Sequence, residues 1–170
     1  MGADQPVHLL PEKLLDLALQ RGAEAAEVLQ SNSQSHPVFF EANRLKQLES
    51  SSVEGMALRL WIQGRPGLAV AYGAVDPEAI VAKAIATSHL NPPETLDILA
   101  GSPQRYTDLG DQVGRDQLIT WGEELIDRIR TAYPEVLCEV DVDCEVETTR
   151  ILNSQGLDCS YSDTTLSSYV

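Results

Sequence analysis

Between Cys138 and Glu147 the chain alternates without a break. Cys138, Val140, Val142, Cys144 and Val146 take the even positions; Glu139, Asp141, Asp143, Glu145 and Glu147 take the odd ones. A period of two sends successive side chains to opposite faces of a pleated strand. The sequence predicts a strand from Val136 to Glu147 with one buried and one acidic face, and such a strand requires a sheet with its core on one side. Val140 and Val142 are expected to be buried, Asp141 and Asp143 exposed. The acidic row is a poor cage for a hard cation. Alternate side chains on one strand stand about 6.6 Å apart in a line, whereas calcium needs oxygens converging from a bend. The expectation is a solvated face that also discourages edge-to-edge pairing.

A second β signal lies at "VEGMALRLWIQGRPGLAVAYG". Met56, Leu58, Leu60 and Ile62 alternate with Ala57, Arg59, Trp61 and Gln63, "QGRPG" supplies a tight turn, and "LAVAY" returns. The glycines are not read as a phosphate cradle, because no helix and no Lys-Ser/Thr follows Gly67. Shorter strands are expected at Ala25–Gln30 and Val38–Phe40, with the polar "SNSQSH" as a connection. At the other end, "NSQG" (Asn153–Gly156) reads as a hairpin turn between two strands.

Three helices are predicted. The first runs from about Pro11 to Arg21, with Leu14, Leu15, Ala18 and Leu19 on one face and Gly22 placed to stop it. The second is opened by Asp76-Pro77-Glu78, buries Ile80, Val81, Ala84 and Ile85, and is closed by Asn91-Pro92-Pro93. The third spans Arg115–Ala132, with Leu118, Gly122, Leu125, Ile126 and Ile129 on one face and Tyr133-Pro134 at its end. The expected class is therefore α+β: an antiparallel, hairpin-rich sheet packed by two or three helices. The order helix–strand–hairpin occurs twice, consistent with an internal duplication. The expected organisation is one α+β domain over residues 1–170, with sub-units at about 11–90 and 115–170 joined by an irregular segment, 91–114.

Composition sets the remaining limits. The 170 residues carry 26 acids against 12 Lys and Arg, a formal charge of −14, which argues against direct binding of a phosphate backbone. It suits a soluble, cytoplasmic protein dispersed by its own charge. No apolar run approaches the roughly 18 residues that span a membrane, and the N-terminus lacks the pattern of a secretory signal. The three cysteines, Cys138, Cys144 and Cys159, form no CxxC pair and are expected to be reduced.

The search for a catalytic, cofactor-binding or metal residue assigns none. His8, His36 and His89 stand alone, without a second His or Cys at the short spacing of a zinc site. Ser50-Ser51-Ser52 lies in no nucleophile elbow, has no candidate base nearby in sequence, and reads as a loop.

"RGAEAAEV", "RLKQLESSSVEGMALRLWIQGRPGLAVAYG", "DPEAIVAKAI" and "ILNSQGLDCSYSDTTLSSYV", in this order and spacing, give the chain its one family likeness. From about Leu14 to Val170 it resembles the N-terminal part of the TldD/PmbA family, known as modulators of DNA gyrase and as zinc-dependent peptidases. The "NS-x-G" turn and its serine-rich return strand are closer to the PmbA (TldE) branch. The resemblance implies a longer protein, with this chain ending inside or just after a hairpin. It also implies pairing of a TldD-type with a PmbA-type subunit, or of like subunits, to degrade or trim unfolded peptides, including microcin-precursor and antitoxin substrates. Zinc is implied on a His-Glu-x-x-x-His helix, with a further ligand downstream, in the C-terminal region of the TldD-type partner. None of those positions is present here, so no cofactor is expected in this segment. Two functions are expected: a non-catalytic domain supplying chamber wall and subunit contacts, or a regulatory binding module acting on gyrase or its inhibitors.

Overall fold

A computed structural model of the chain describes residues 10–74, 76–108, 110 and 113–170. Within them the order is α1 (Leu10–Gln20), β1 (Ala25–Ser35), β2 (Val38–Glu41), β3 (Arg44–Leu48), β4 (Ser51–Ile62), β5 (Arg65–Tyr72), α2 (Pro77–Ser88), β6 (Gln104–Asp108), α3 (Arg115–Ala132), β7 (Val140–Asn153) and β8 (Asp158–Tyr169). The strands pair in the order β3-β2-β7-β1-β4-β5, with β8 beside β7 and β6 beside β8. The pairs β2–β3, β2–β7 and β4–β5 are antiparallel. The fold is α+β, as the alternation and the three helical faces predict.

The chain divides into two compact units, each assembled from three segments. The first holds residues up to Asn32, Val53–Tyr106 and Thr149–Tyr161. Its core gathers Leu14 and Ala18 of α1, Val28 of β1, Leu58 and Leu60 of β4, and Val81 and Ala84 of α2. Each large side chain so buried contributes roughly 1.5–3 kcal/mol. Gly22 at φ 93° ends α1, and the N–H of Ala23 returns to the Ala18 carbonyl at 3.1 Å. Leu19, expected on the buried face, is 41% exposed: one residue beyond Ala18, it sits at the rim of the apolar stripe. α2 begins as expected, with Asp76 Oδ1 accepting from the Glu78 N–H at 3.1 Å. It closes at Ser88, before the prolines.

The turn of the β4–β5 hairpin is tighter than "QGRPG" suggested. Gln63 and Gly64, at φ 52° and 70°, form it alone, while Pro66 and Gly67 already lie in β5 opposite Trp61 and Leu60. Gly67 serves packing instead. A Cβ there would stand 2.0 Å from the Ala84 carbonyl oxygen, so only glycine lets β5 approach α2. In the "NSQG" turn the buried Asn153 accepts from the N–H groups of Gln155 and Leu157 at 2.9 and 3.2 Å, and it donates to the Leu99 carbonyl at 2.9 Å. Arg150 donates twice to Asp158, at 2.9 and 3.0 Å, and once to Glu12 at 2.7 Å. This fork ties α1 to the β7–β8 hairpin.

The second unit holds Ser33–Ser52, Thr107–Thr148 and Ser162–Val170. α3 covers β2 and β7 through Leu118 and Ile126 against Val38, Phe40, Val140 and Val142. Cys138, Val140, Val142 and Cys144 of the alternating stretch are buried as expected, while Val146 is half-buried. Gly122 admits the Phe40 ring, which a Cβ would meet at 2.1 Å.

Five expectations need correction. β7 starts at Val140, not Val136, because Asn43 captures the preceding segment: its Oδ1 accepts from the Cys138 N–H at 2.8 Å and its Nδ2 donates to the Val136 carbonyl at 3.0 Å. β1 runs on through the polar residues to Ser35, and β4 begins at Ser51 inside the serine run. Polar residues hold strand geometry where a neighbouring strand satisfies their backbone. β3 was not expected; Ala42 and Asn43, at φ 51° and 66°, make the two-residue turn that creates it. β6 likewise arises inside the segment 91–114, beside β8.

Candidate functional site

The residues singled out in the sequence are placed unevenly. His8 lies outside the described residues. His89 caps the C-terminus of α2 and is exposed. His36 does meet Ser50, Nδ1 to Oγ at 3.3 Å, although the sequence showed no base near that serine. Asp143 Oδ1 accepts from the His36 backbone N–H at 3.0 Å, so this carboxylate holds the main chain of the histidine and not its ring. Cys138 and Cys144 are buried, Cys159 is half-buried, and all three are free thiols. Among the described residues, no three His, Cys, Asp or Glu side chains converge as a metal site would require.

The acidic row is not the fully solvated face that the period-2 reading gave. Glu139 is exposed, but Asp141, Asp143, Glu145 and Glu147 are half-buried. The extension of β1 explains this, because its end supplies donors to the row: Ser33 Oγ to Glu145, and the His36 N–H to Asp143. Asp141 is the exception. Its Oδ1 is buried without a hydrogen-bond partner. Burial first, then the Asp143 and Glu49 carboxylates, push its pKa above the usual carboxylate range.

Asp141 borders a groove of about 510 Å³ on the second unit. Phe39, opposite Asp141 in the β2–β7 register, and Tyr169 give it apolar walls; Glu41 and Glu139 add acid at its margin. Lys46 is its one basic lining residue and is already paired with Glu41 at 2.6 Å.

The first unit presents a different surface. Along β4 and β5 the register pairs Gly55 with Tyr72, Ala57 with Val70, and Arg59 with Leu68. These side chains face away from the helices, because their neighbours Met56, Leu58 and Leu60 enter the core. Leu68 is 51% exposed, Val70 42% and Tyr72 74%; Leu29 and Val53 are also exposed. One ion pair crosses this face, Arg59 to Glu27 at 2.9 Å, with the guanidinium 4.7 Å above the Trp61 ring. Sequence reasoning missed the face, yet a signal was there: in "LAVAY" both alternating sets are apolar, so burying one leaves the other uncovered.

Residues 26–88 match the model of PmbA/TldA metallopeptidase domain 1. No curated protein matches the sequence. Among solved structures the chain is similar to TldE from Thermococcus kodakarensis, with 19% identity and a TM-score of 0.74 over 94% of this chain and 38% of that one. It is also similar to a proposed modulator of DNA gyrase from Thermotoga maritima, with 13% identity and a TM-score of 0.70 over 94% and 38%. A further proposed gyrase modulator, from Bacteroides thetaiotaomicron, gives 18% and 0.69 over 99% and 41%. The chain thus spans about two-fifths of the length of each. At these identities the likeness is one of fold.

Proposed function

We propose that this chain, whose residues 26–88 match the model of PmbA/TldA metallopeptidase domain 1, acts as the non-catalytic N-terminal domain of such an enzyme. In this reading it supplies subunit contacts and part of the wall of a peptide-degrading chamber in the cytoplasm. One observation carries the reading: the uncovered apolar sheet face at Leu68, Val70 and Tyr72. Exposed apolar side chains side by side on one sheet face suit a protein contact. The partner would be a homologous subunit of the TldD type, and zinc and its catalytic water would belong to that partner's C-terminal region. No helix among the described residues is long and apolar enough to cross a membrane.

The test is reconstitution. The chain mixed with a TldD-type subunit should co-elute with it, and replacing Leu68 and Val70 by lysine should abolish the complex while leaving the fold intact by circular dichroism. Co-elution unchanged in that double variant would remove the contact role. A second reading is favoured by the names of two similar structures, which point to DNA gyrase. Capture of purified gyrase by the chain, sensitive to the same substitutions, would support it.

A further inference from the structure

The groove on the second unit has no counterpart in the contact role just described, and its chemistry is specific. Its walls are apolar at Phe39 and Tyr169, and its acids are Glu41, Glu139 and Asp141. Glu41 is neutralised by Lys46, whereas Asp141 keeps an oxygen without a partner and has only further acids, Asp143 and Glu49, acting on its charge. A half-buried carboxylate in that position lacks a counter-ion. The volume, about 510 Å³, falls within the roughly 300–1,000 Å³ of pockets that hold ligand groups. Beside the groove, β3 ends the sheet order and pairs only with β2 among the described residues, so its outer edge offers free backbone donors and acceptors.

We propose that this groove docks an extended polypeptide segment carrying a lysine or arginine next to an apolar residue. The apolar side chain lies against Phe39 and Tyr169, and the cation sits between Asp141 and Glu139. The open edge of β3 is within the same unit and can add main-chain hydrogen bonds by strand addition. Two features exclude an acidic peptide: the charge at Glu139 and Asp141, and the prior commitment of Lys46 to Glu41. Free metal is not the occupant, because among the described residues no three metal-binding side chains converge here. The inference deepens the peptide-handling part of the proposed function by naming the class of segment that is held. It needs no partner subunit.

The experiment is fluorescence anisotropy on the 170-residue chain with two labelled eleven-residue peptides of equal apolar content, one built on Leu-Lys repeats and one on Leu-Glu repeats. The lysine peptide should bind at least tenfold more tightly than the glutamate peptide, and Asp141→Asn with Glu139→Gln should weaken it about tenfold. Phe39→Ala should weaken it without changing its salt dependence. A chain of charge −14 attracts cations anywhere, so Glu123→Gln with Asp127→Asn, two exposed acids of α3, serves as the charge-matched control and should leave binding within twofold. Equal affinity for both peptides, no binding at millimolar peptide, or equal losses in the two charge variants would each overturn the groove as the site. Complex formation with a TldD-type subunit, read separately, could then still succeed or fail on its own.

Discussion

The two units answer the same structural problem and leave opposite surfaces. In each, helices cover one face of the strands with an aliphatic core: Leu58 and Leu60 under α1 and α2 in the first, Val140 and Val142 under α3 in the second. The remaining faces differ. β5 of the first unit exposes Leu68, Val70 and Tyr72, whereas β7 of the second presents Asp141, Asp143, Glu145 and Glu147. An apolar face gains free energy from contact with another apolar surface and suits a lasting interface. An acidic face with a groove gains from a cation and suits a weaker, salt-dependent ligand. The two units thus differ in the surface they present, apolar in one and acidic in the other, according to which side chains their strands turn outward.

The largest effects should come from the cores, where the comparison predicts similarity. Val140→Asp buries a charge and should cost several kcal/mol of unfolding free energy. Gly67→Ala drives a Cβ into the backbone of α2 and should cost about 3 kcal/mol or more; Gly122→Ala meets only the Phe40 ring, which can shift, and should cost about 1–3 kcal/mol. Equal costs at the two glycines, by urea denaturation, would mean that β5 and α2 are not held as closely as the structure shows.

The next effect depends on pH. Hydrogen bonding from Arg150 holds the Asp158 carboxyl below the usual carboxylate range. Its contribution is therefore complete above about pH 4, where the unfolded side chain ionises, and is lost as pH falls through the lower folded value. Asp158→Asn should destabilise by about 1–2 kcal/mol at pH 7, and the gap should close in acid. Asp141 has the opposite sign. Its pKa is raised, so ionisation penalises the folded state above that value and the penalty fades below about pH 4. Asp141→Asn should be the more stable protein at pH 7 and converge with the parent in acid. Thermal melts from pH 3 to pH 7 read both, and a stability loss on Asp141→Asn at pH 7 would contradict the unpaired carboxylate. Smallest of all, Leu68→Lys with Val70→Lys should leave the melting temperature of the isolated chain within a few degrees, since both residues are exposed.

Much of this was legible in the sequence, for identifiable reasons. α3 has the predicted bounds because a long 3.6-residue period stands between a glycine and a proline. Val140, Val142 and Cys144 of β7 are buried because strict alternation over that stretch leaves no other choice. Three things were hidden. β3 and β6 are short, and their residues are exposed, so no apolar rhythm announces them. The extension of β1 through Ser33 is decided by the acids it faces on β7, a long-range pairing that local propensity does not encode. The interleaving of the units is hidden because β1, β4, β7 and β8 each pass through both, and periodicity does not say which core a buried residue joins. The acidic row was legible as acidic, but its half-burial depended on that same extension of β1.

The contrast between the two faces is best tested by hydrogen exchange of the chain alone and in the presence of a TldD-type subunit. The account predicts added protection over Val53–Arg59 and Leu68–Tyr72, with Val38–Glu41 and Val140–Asp143 unchanged until a lysine-rich peptide is added. Protection at the acidic groove on subunit binding, with none along β4 and β5, would contradict the assignment of the apolar face as the contact surface.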